Sequence, residues 1–253
     1  MTKNKLEAII EAHHLWVMTE GKKGKRADLS RMDLSGANLS NKDLTDANLA
    51  YSDLTNANLT NTKLTYANLT NTKLIHADLA YTDLTNANLV NANLIHATFV
   101  RADLAYADLT YAILTNTIII RADLTSANLT KTRLRDTNLT NSDLTNAKLI
   151  RADLTSANLT DAILAHVDLT NGYIAYANLT NTKLIDADLT DADLAYSNLT
   201  NANLTNANLT NANLTHANLT HANLTDAILV DTNLTEALTK ECIPAHIADT
   251  CSP

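Results

Sequence analysis

Proline is almost missing from this chain of 253 residues: there are two, and neither lies between residues 27 and 234. Glycine is nearly as scarce, with four in all and only Gly36 and Gly172 inside that span. A stretch this long without chain breakers has no place for a linker. Residues 27–234 are therefore expected to form one unit, flanked by an N-terminal segment, 1–26, and a C-terminal tail, 235–253. The only cysteines, Cys242 and Cys251, fall in the tail. They could close a small loop, but two late thiols do not build a disulfide framework. With His246 they make an incomplete set for zinc, and no metal or cofactor is expected. Serine is scarce and the histidines sit singly, so no nucleophile and base are paired, and no catalytic residue is assigned. No run is apolar enough to span a membrane. Glu7, Glu11, His13 and His14 interrupt the N-terminus where a secretory signal would need an apolar core.

Charge is present but unevenly shared. Residues 1–26 carry six basic and three acidic side chains, whereas residues 27–234 carry twelve basic and twenty-one acidic ones. The mild negative charge of the long span suits solubility and disfavours direct nucleic-acid binding. Fourteen Asn-X-Ser/Thr acceptors, from Asn38 to Asn233, would invite glycans on nearly every face in a eukaryotic secretory route. A cytoplasmic location, bacterial or viral, is expected.

What is abundant is leucine, at one spacing. From Leu29 to Leu234 every fifth residue is large and apolar, giving forty-two positions, all leucine except Phe99, Ile119 and Ile174. A small residue usually stands two before each, as at Ala27, Ala37, Ala47, Ala57 and Ala67. Asn or Asp stands between, and Thr commonly follows. The unit is A-(N/D)-L-T-X. A five-residue period fits neither a helix face nor a pleated strand. Leu and the residue two before it can point the same way from an extended backbone, leaving one polar outward residue and two to turn a corner. One such unit cannot bury its leucine; stacked copies can.

In these residues the chain resembles the pentapeptide-repeat family, over about four-fifths of its length. The resemblance implies an all-β solenoid: a right-handed quadrilateral β-helix with four pentads per coil, hence about ten coils. At ~4.8 Å per coil the rod would be roughly 50 Å long. Met32 and Lys42 occupy the small-residue position, and an inward lysine is costly, so distorted first coils are expected. The N-terminal segment reads as a short capping helix. Asn4 and Glu7 have capping-box spacing, and Leu6, Ile9, Ile10, His13, Trp16 and Val17 form a helical stripe. Gly21 would stop it before the basic turn Lys22, Lys23, Gly24, Lys25, Arg26. A solenoid end exposes strand edges and needs such a cover. The tail leaves the leucine register at Leu238, so the C-terminal end is a candidate for self-association.

Four pentads per coil would stack residues twenty apart. Asp83, Asp103, Asp123 and Asp143 then form a column, best explained as corner residues that bond local backbone. Asn138, Asn158, Asn178, Asn198 and Asn218 form another, with Thr140 to Thr220 beside them: a flat polar rank of the kind that could bind ice. The informative breaks are apolar residues at outward positions: Ile75 over Ile95, Val100 over Ile120, and Ile113 and Ile118 where Asn or Asp is usual. Rimmed by His76, His96, Arg101, Arg121 and Tyr111, they have the composition of a partner site. The expected function is a non-enzymatic, rigid interaction or structural module. Its partner is another protein or a second copy, met through the apolar patch or the C-terminal end. Some members of the resembled family mimic duplex DNA and protect a bacterial topoisomerase. This chain lacks their loop insertions, and Arg101, Arg121, Lys131, Arg133, Arg135 and Arg151 make its middle basic.

Overall fold

The computed structural model describes residues 2–240; Cys242, Pro244, His246 and Cys251 lie outside the described residues. One helix, α1 (Lys3–Met18), precedes a square right-handed β-helix. Every bridge joins residues twenty apart in parallel, starting with Asp28 to Asn48 and ending with Asn218 to Leu238. Four pentads therefore close one coil. The leucine ladder fills the axis: Leu39, Leu109 and Leu184 are completely buried, as are Phe99 and Ile119 in effect. Each such side chain contributes ~1.5–3 kcal/mol on burial.

Two hydrogen bonds per pentad join neighbouring coils through the flat part of each side. The Leu49 N–H donates to the Asn68 carbonyl at 2.8 Å, and the Asn48 N–H donates to Ala27 at 3.0 Å. Within the coil, the Ala57 N–H donates back to the Leu54 carbonyl at 2.9 Å, closing a turn over Thr55 and Asn56. The third residue of that turn has positive φ in pentad after pentad: 59° at Asn56, 58° at Asn116, 59° at Asn141. Asn and Asp tolerate this left-handed region best among residues with a side chain. They fill half of these corners, and no Val, Ile or Thr occupies any of them from Arg31 to Glu236. The free position X of the repeat is thus constrained by backbone shape.

The polar positions are equally determined. Asn58 Oδ1 accepts from the N–H of Thr60 at 2.9 Å and from its hydroxyl at 2.8 Å. The Asn/Asp-Leu-Thr order is a side-chain turn that fixes the bend after each leucine. At Thr62, Thr82, Thr117 and Thr137, Thr replaces Ala at the second inward position; each is buried, and its hydroxyl donates to a leucine carbonyl of the preceding coil. Thr62 reaches Leu39 at 2.8 Å, and Thr137 reaches Leu114 at 2.8 Å.

Three expectations are corrected. The first coils are regular: Asp43 bridges Lys63, while Lys42 is exposed and Met32 half-buried. No coil lies above them, so Lys42 can leave the axis beside α1. The helix begins two residues earlier than a cap at Asn4 allows. Its N-cap is Thr2, without a side-chain cap bond, and Asn4 lies in the first turn. The coil register also continues beyond Thr235. Leu238 takes the outward place of Asn, and the His221 N–H still reaches the Lys240 carbonyl at 3.0 Å.

Helix α1 lies against the first coils, with Leu6, Ile9 and Ile10 packed on the core. Gly24, at φ 77°, lets the chain double back beneath it. A Cβ there would stand 2.2 Å from the Ala12 carbonyl oxygen, which accepts from the Lys25 N–H at 2.9 Å.

The corners predict a sharp asymmetry between substitutions. Asn141→Val should cost ~1–2 kcal/mol and lower the thermal midpoint, whereas Asn141→Gly should change stability by a few tenths. Equal midpoints for the two variants would show that φ does not constrain the corner.

Candidate functional site

Interruptions of the polar surface single out one region of the rod. Ile113 stacks between Asn93 and Arg133 on one face, and Ile118 between Thr98 and Asn138 on the next. Ile95 lies beside Asn93, below Ile75, and Ile120 lies below Val100. The named isoleucines and Val100 thus occupy two adjacent faces, with the corner column His76, His96 and Asn116 between them. Ile118 is 41% exposed, while Ile75, Ile95, Val100, Ile113 and Ile120 are half-buried. His76 and His96 are exposed and stack with ring centres 4.9 Å apart.

Cations line the outer edges of these two faces. Arg101 and Arg121 are exposed on the corner after Val100 and Ile120, and Arg101 lies over the Tyr81 ring at 5.9 Å. On the opposite edge, Lys131 lies over the Tyr111 ring and donates to its hydroxyl at 3.0 Å. Arg133 continues the Ile113 column, and Arg135 pairs with Asp153 at 2.6 Å. The same corner column that starts with the histidines carries Tyr176, Tyr196 and His216 farther along, stacked at 5.0 and 4.6 Å. The period alone places His76 over His96 and Tyr176 over Tyr196; the extension of the stack to His216 emerges from the structure. Sequence reasoning missed how the cations sit: Lys73 and Arg135 are neutralised by Asp53 and Asp153. Among the described residues, Arg101, Arg121, Lys131 and Arg133 have no carboxylate partner within ion-pair distance.

The polar columns are structural. In the acidic column, Asp83, Asp103, Asp123 and Asp143 each accept from the backbone N–H two residues on. Among the described residues no group of three acidic, His or Cys side chains is placed to hold a metal. In the Asn column, three amides donate to a Thr hydroxyl of the preceding coil: Asn178 to Thr160, Asn198 to Thr180 and Asn218 to Thr200, all at 3.0 Å. Those hydroxyls also donate to the Asn of their own coil. From Asn158 to Thr220 the rank is a continuous hydrogen-bonded ladder.

Concave surface occurs beside α1, where uniform faces gave no reason to expect it. One groove of about 630 Å³ is lined by Leu6, Ile10, Leu34 and Ala37 together with Asp33 and Lys42. Another of about 490 Å³ runs along His14, Lys42, Asp43 and Lys63. Beneath the helix His13 is fully buried and stacks on Trp16 at 5.6 Å. Its Nδ1 accepts from the Ala27 N–H at 3.1 Å, stitching the helix to the first coil. Burial pushes the His13 pKa below the ordinary 6.5 and Arg26 adds to this, against the opposing pull of Asp43, the Thr45 carbonyl and Asp46. Among the described residues no helix is long and apolar enough to cross a membrane.

The geometry defines a repeat protein whose sides are pentads and whose coils are twenty residues. The description "Pentapeptide repeats (8 copies)" matches at 27–65, 43–80, 52–89, 67–104, 82–119, 102–141, 117–155 and 202–238. "Pentapeptide repeat region" matches at 142–219. The chain belongs to the pentapeptide-repeat family. Among solved structures it is similar to HetL, a pentapeptide repeat protein involved in heterocyst differentiation regulation in the cyanobacterium Nostoc sp. strain PCC 7120. The identity is 32%, over 92% of this chain and 95% of that one, with a TM-score of 0.46. It is also similar to a trypsin-treated form of QnrB1, a plasmid-mediated fluoroquinolone resistance protein, at 18% identity over 82% and 89%, TM-score 0.38. Rfr23 from the cyanobacterium Cyanothece 51142 matches at 28% over 48% and 90%, TM-score 0.21. No curated protein matches the chain.

These protonation states give a signed dependence on pH. His13 has a lowered pKa, so its contribution is complete above 6.5 and declines as pH falls below it. Asp53 is held below 3.8 by the Thr55 hydroxyl and N–H and by Lys73. Asp83 is raised by burial but lowered more by Thr85, Thr65 and Lys63. Their contribution is present above 3.8 and lost as pH falls below it. Thermal midpoints measured across pH should fall in two stages, and His13→Gln should remove only the upper one. A single stage in the native protein would refute the assignment of His13.

Proposed function

We propose that this chain is a non-enzymatic, rigid scaffold that recognises another protein through the faces bearing Ile95, Ile113, Ile118 and Ile120. The observation that carries the reading is Ile118, which is 41% exposed in a row otherwise occupied by Thr98 and Asn138. An outward isoleucine contributes little to the rod's own stability, and a group of them on adjoining faces is the usual composition of an interface centre. The regular rod supports this role, because its surface positions are held by backbone bonds every coil and need little ordering on binding. Tyr111, Arg101 and Arg121 on the edges add residue types that concentrate binding energy.

The test is a double substitution, Ile95→Asp with Ile118→Asp, in the full chain. Capture of its partner from the native host should fall about tenfold or more, with circular dichroism and thermal midpoint unchanged. Unaltered capture, together with unaltered solution mass, would remove this patch as the interaction site.

A further inference from the structure

The interaction reading leaves the chemistry of the partner open, and charge placement narrows it. Over the three coils that hold the patch and the coil directly below them, the same two faces comprise residues 71–81, 91–101, 111–121 and 131–141. They carry six cations, Lys73, Arg101, Arg121, Lys131, Arg133 and Arg135, against two carboxylates, Asp78 and Asp136. The other two faces of the same coils, residues 82–90, 102–110, 122–130 and 142–150, carry five carboxylates and one cation, Lys148. The rod is acidic as a whole, yet it is polarised across its width where the isoleucines emerge. Lys73 and Arg135 are already neutralised by Asp53 and Asp153. Arg101, Arg121 and Lys131 remain on both edges of the apolar centre and Arg133 directly below Ile113, as cations with no ion pair among the described residues.

Resting on the interaction reading, we infer that the occupant of these faces is an acidic segment of another protein that carries apolar side chains. Its apolar groups cover Ile95, Ile113 and Ile118, and its carboxylates meet Arg101, Arg121, Lys131 and Arg133. Opposite charge at an interface edge speeds encounter and sets orientation, while the desolvated centre holds the complex. A second copy docked patch to patch is disfavoured, because it would set the same four cations of each rod against one another. The acidic faces of a second copy offer carboxylates without a comparable isoleucine cluster. A nucleic acid would use the cations and leave the isoleucines idle. The tyrosines of the nearby column stack on one another at 5.0 Å rather than presenting open ring faces to bases. The two-coil spacing from Ile95 to Arg135 is ~10 Å, so one short extended segment spans apolar and cationic parts together.

The experiment uses the full chain and a fluorescein-labelled peptide with a block of leucines adjoining a block of aspartates, followed by fluorescence anisotropy. Saturable binding that weakens with added salt is expected. Arg121→Glu with Arg133→Glu should weaken it about tenfold, as should Ile118→Asp, with circular dichroism unchanged in each. A peptide with lysines in place of the aspartates should not bind. No binding of the acidic peptide, or binding indifferent to the charge reversals, would overturn the inference. So would oligothymidylate binding as tightly as the peptide, or self-association of the wild-type rod that Ile118→Asp abolishes. The broader reading fails separately: if Ile95→Asp with Ile118→Asp still abolishes capture of the native partner while the charge reversals do nothing, only the acidic character of the partner is wrong.

Discussion

Every coil is tied to the next by parallel backbone hydrogen bonds twenty residues apart, and those bonds require each pentad to turn its corner in the same way. The corner is a left-handed residue held by a bond from the small residue's N–H to the leucine carbonyl three before it. If one corner opened, the next side would lose its alignment with the coils on both sides. This constraint explains why one phase persists through forty-two units. An insertion of a single residue would place a polar side chain on the axis and a leucine outside, with every later unit displaced. Leucine supplies the burial, but the corner makes burial repeatable.

The architecture was legible because a period of five is incompatible with ordinary helices and strands, and because the small residue two before Leu marked the second inward position. The stacking of Asp83 on Asp103 and of His76 on His96 followed from four pentads per coil alone. The N-terminal end was less legible. Asn4 and Glu7 have the spacing of a capping box, yet the helix starts at Lys3, since spacing cannot tell a cap from the first turn. Lys42 looked costly at an inward position because the pattern carries no information about which coil lacks a neighbour. The role of X was present in the composition, in its many Asn and Asp residues and its lack of β-branched ones, but it becomes readable only once φ is known.

The candidate interface was partly legible for a related reason. In a repeat, the default residue at each position serves the fold, so departures from it stand out: Ile113 for Asn, Ile118 for Asn, Val100 for Thr. Periodicity also put Arg133 beneath Ile113. Neutralisation of Arg135 by Asp153 was not accessible in the same way, because it depends on where two flexible side chains reach between neighbouring coils. The grooves beside α1 were hidden for a further reason: they are formed by how the helix lies on the first coils, and neither element encodes that alone.

The two ends of the rod differ in how they are closed. At the start, Leu29 is fully buried and His13 fastens the helix to Ala27. At the far end, Leu229 and Leu234 are only partly buried, and Ile228, Val230 and Leu238 are exposed among the described residues. A solenoid whose coils touch only their neighbours loses order from its weaker end inward. Amide hydrogen exchange along this chain would then form a ramp, slow near the helix and faster toward Lys240, so that the molecule frays directionally like a zipper fastened at one end.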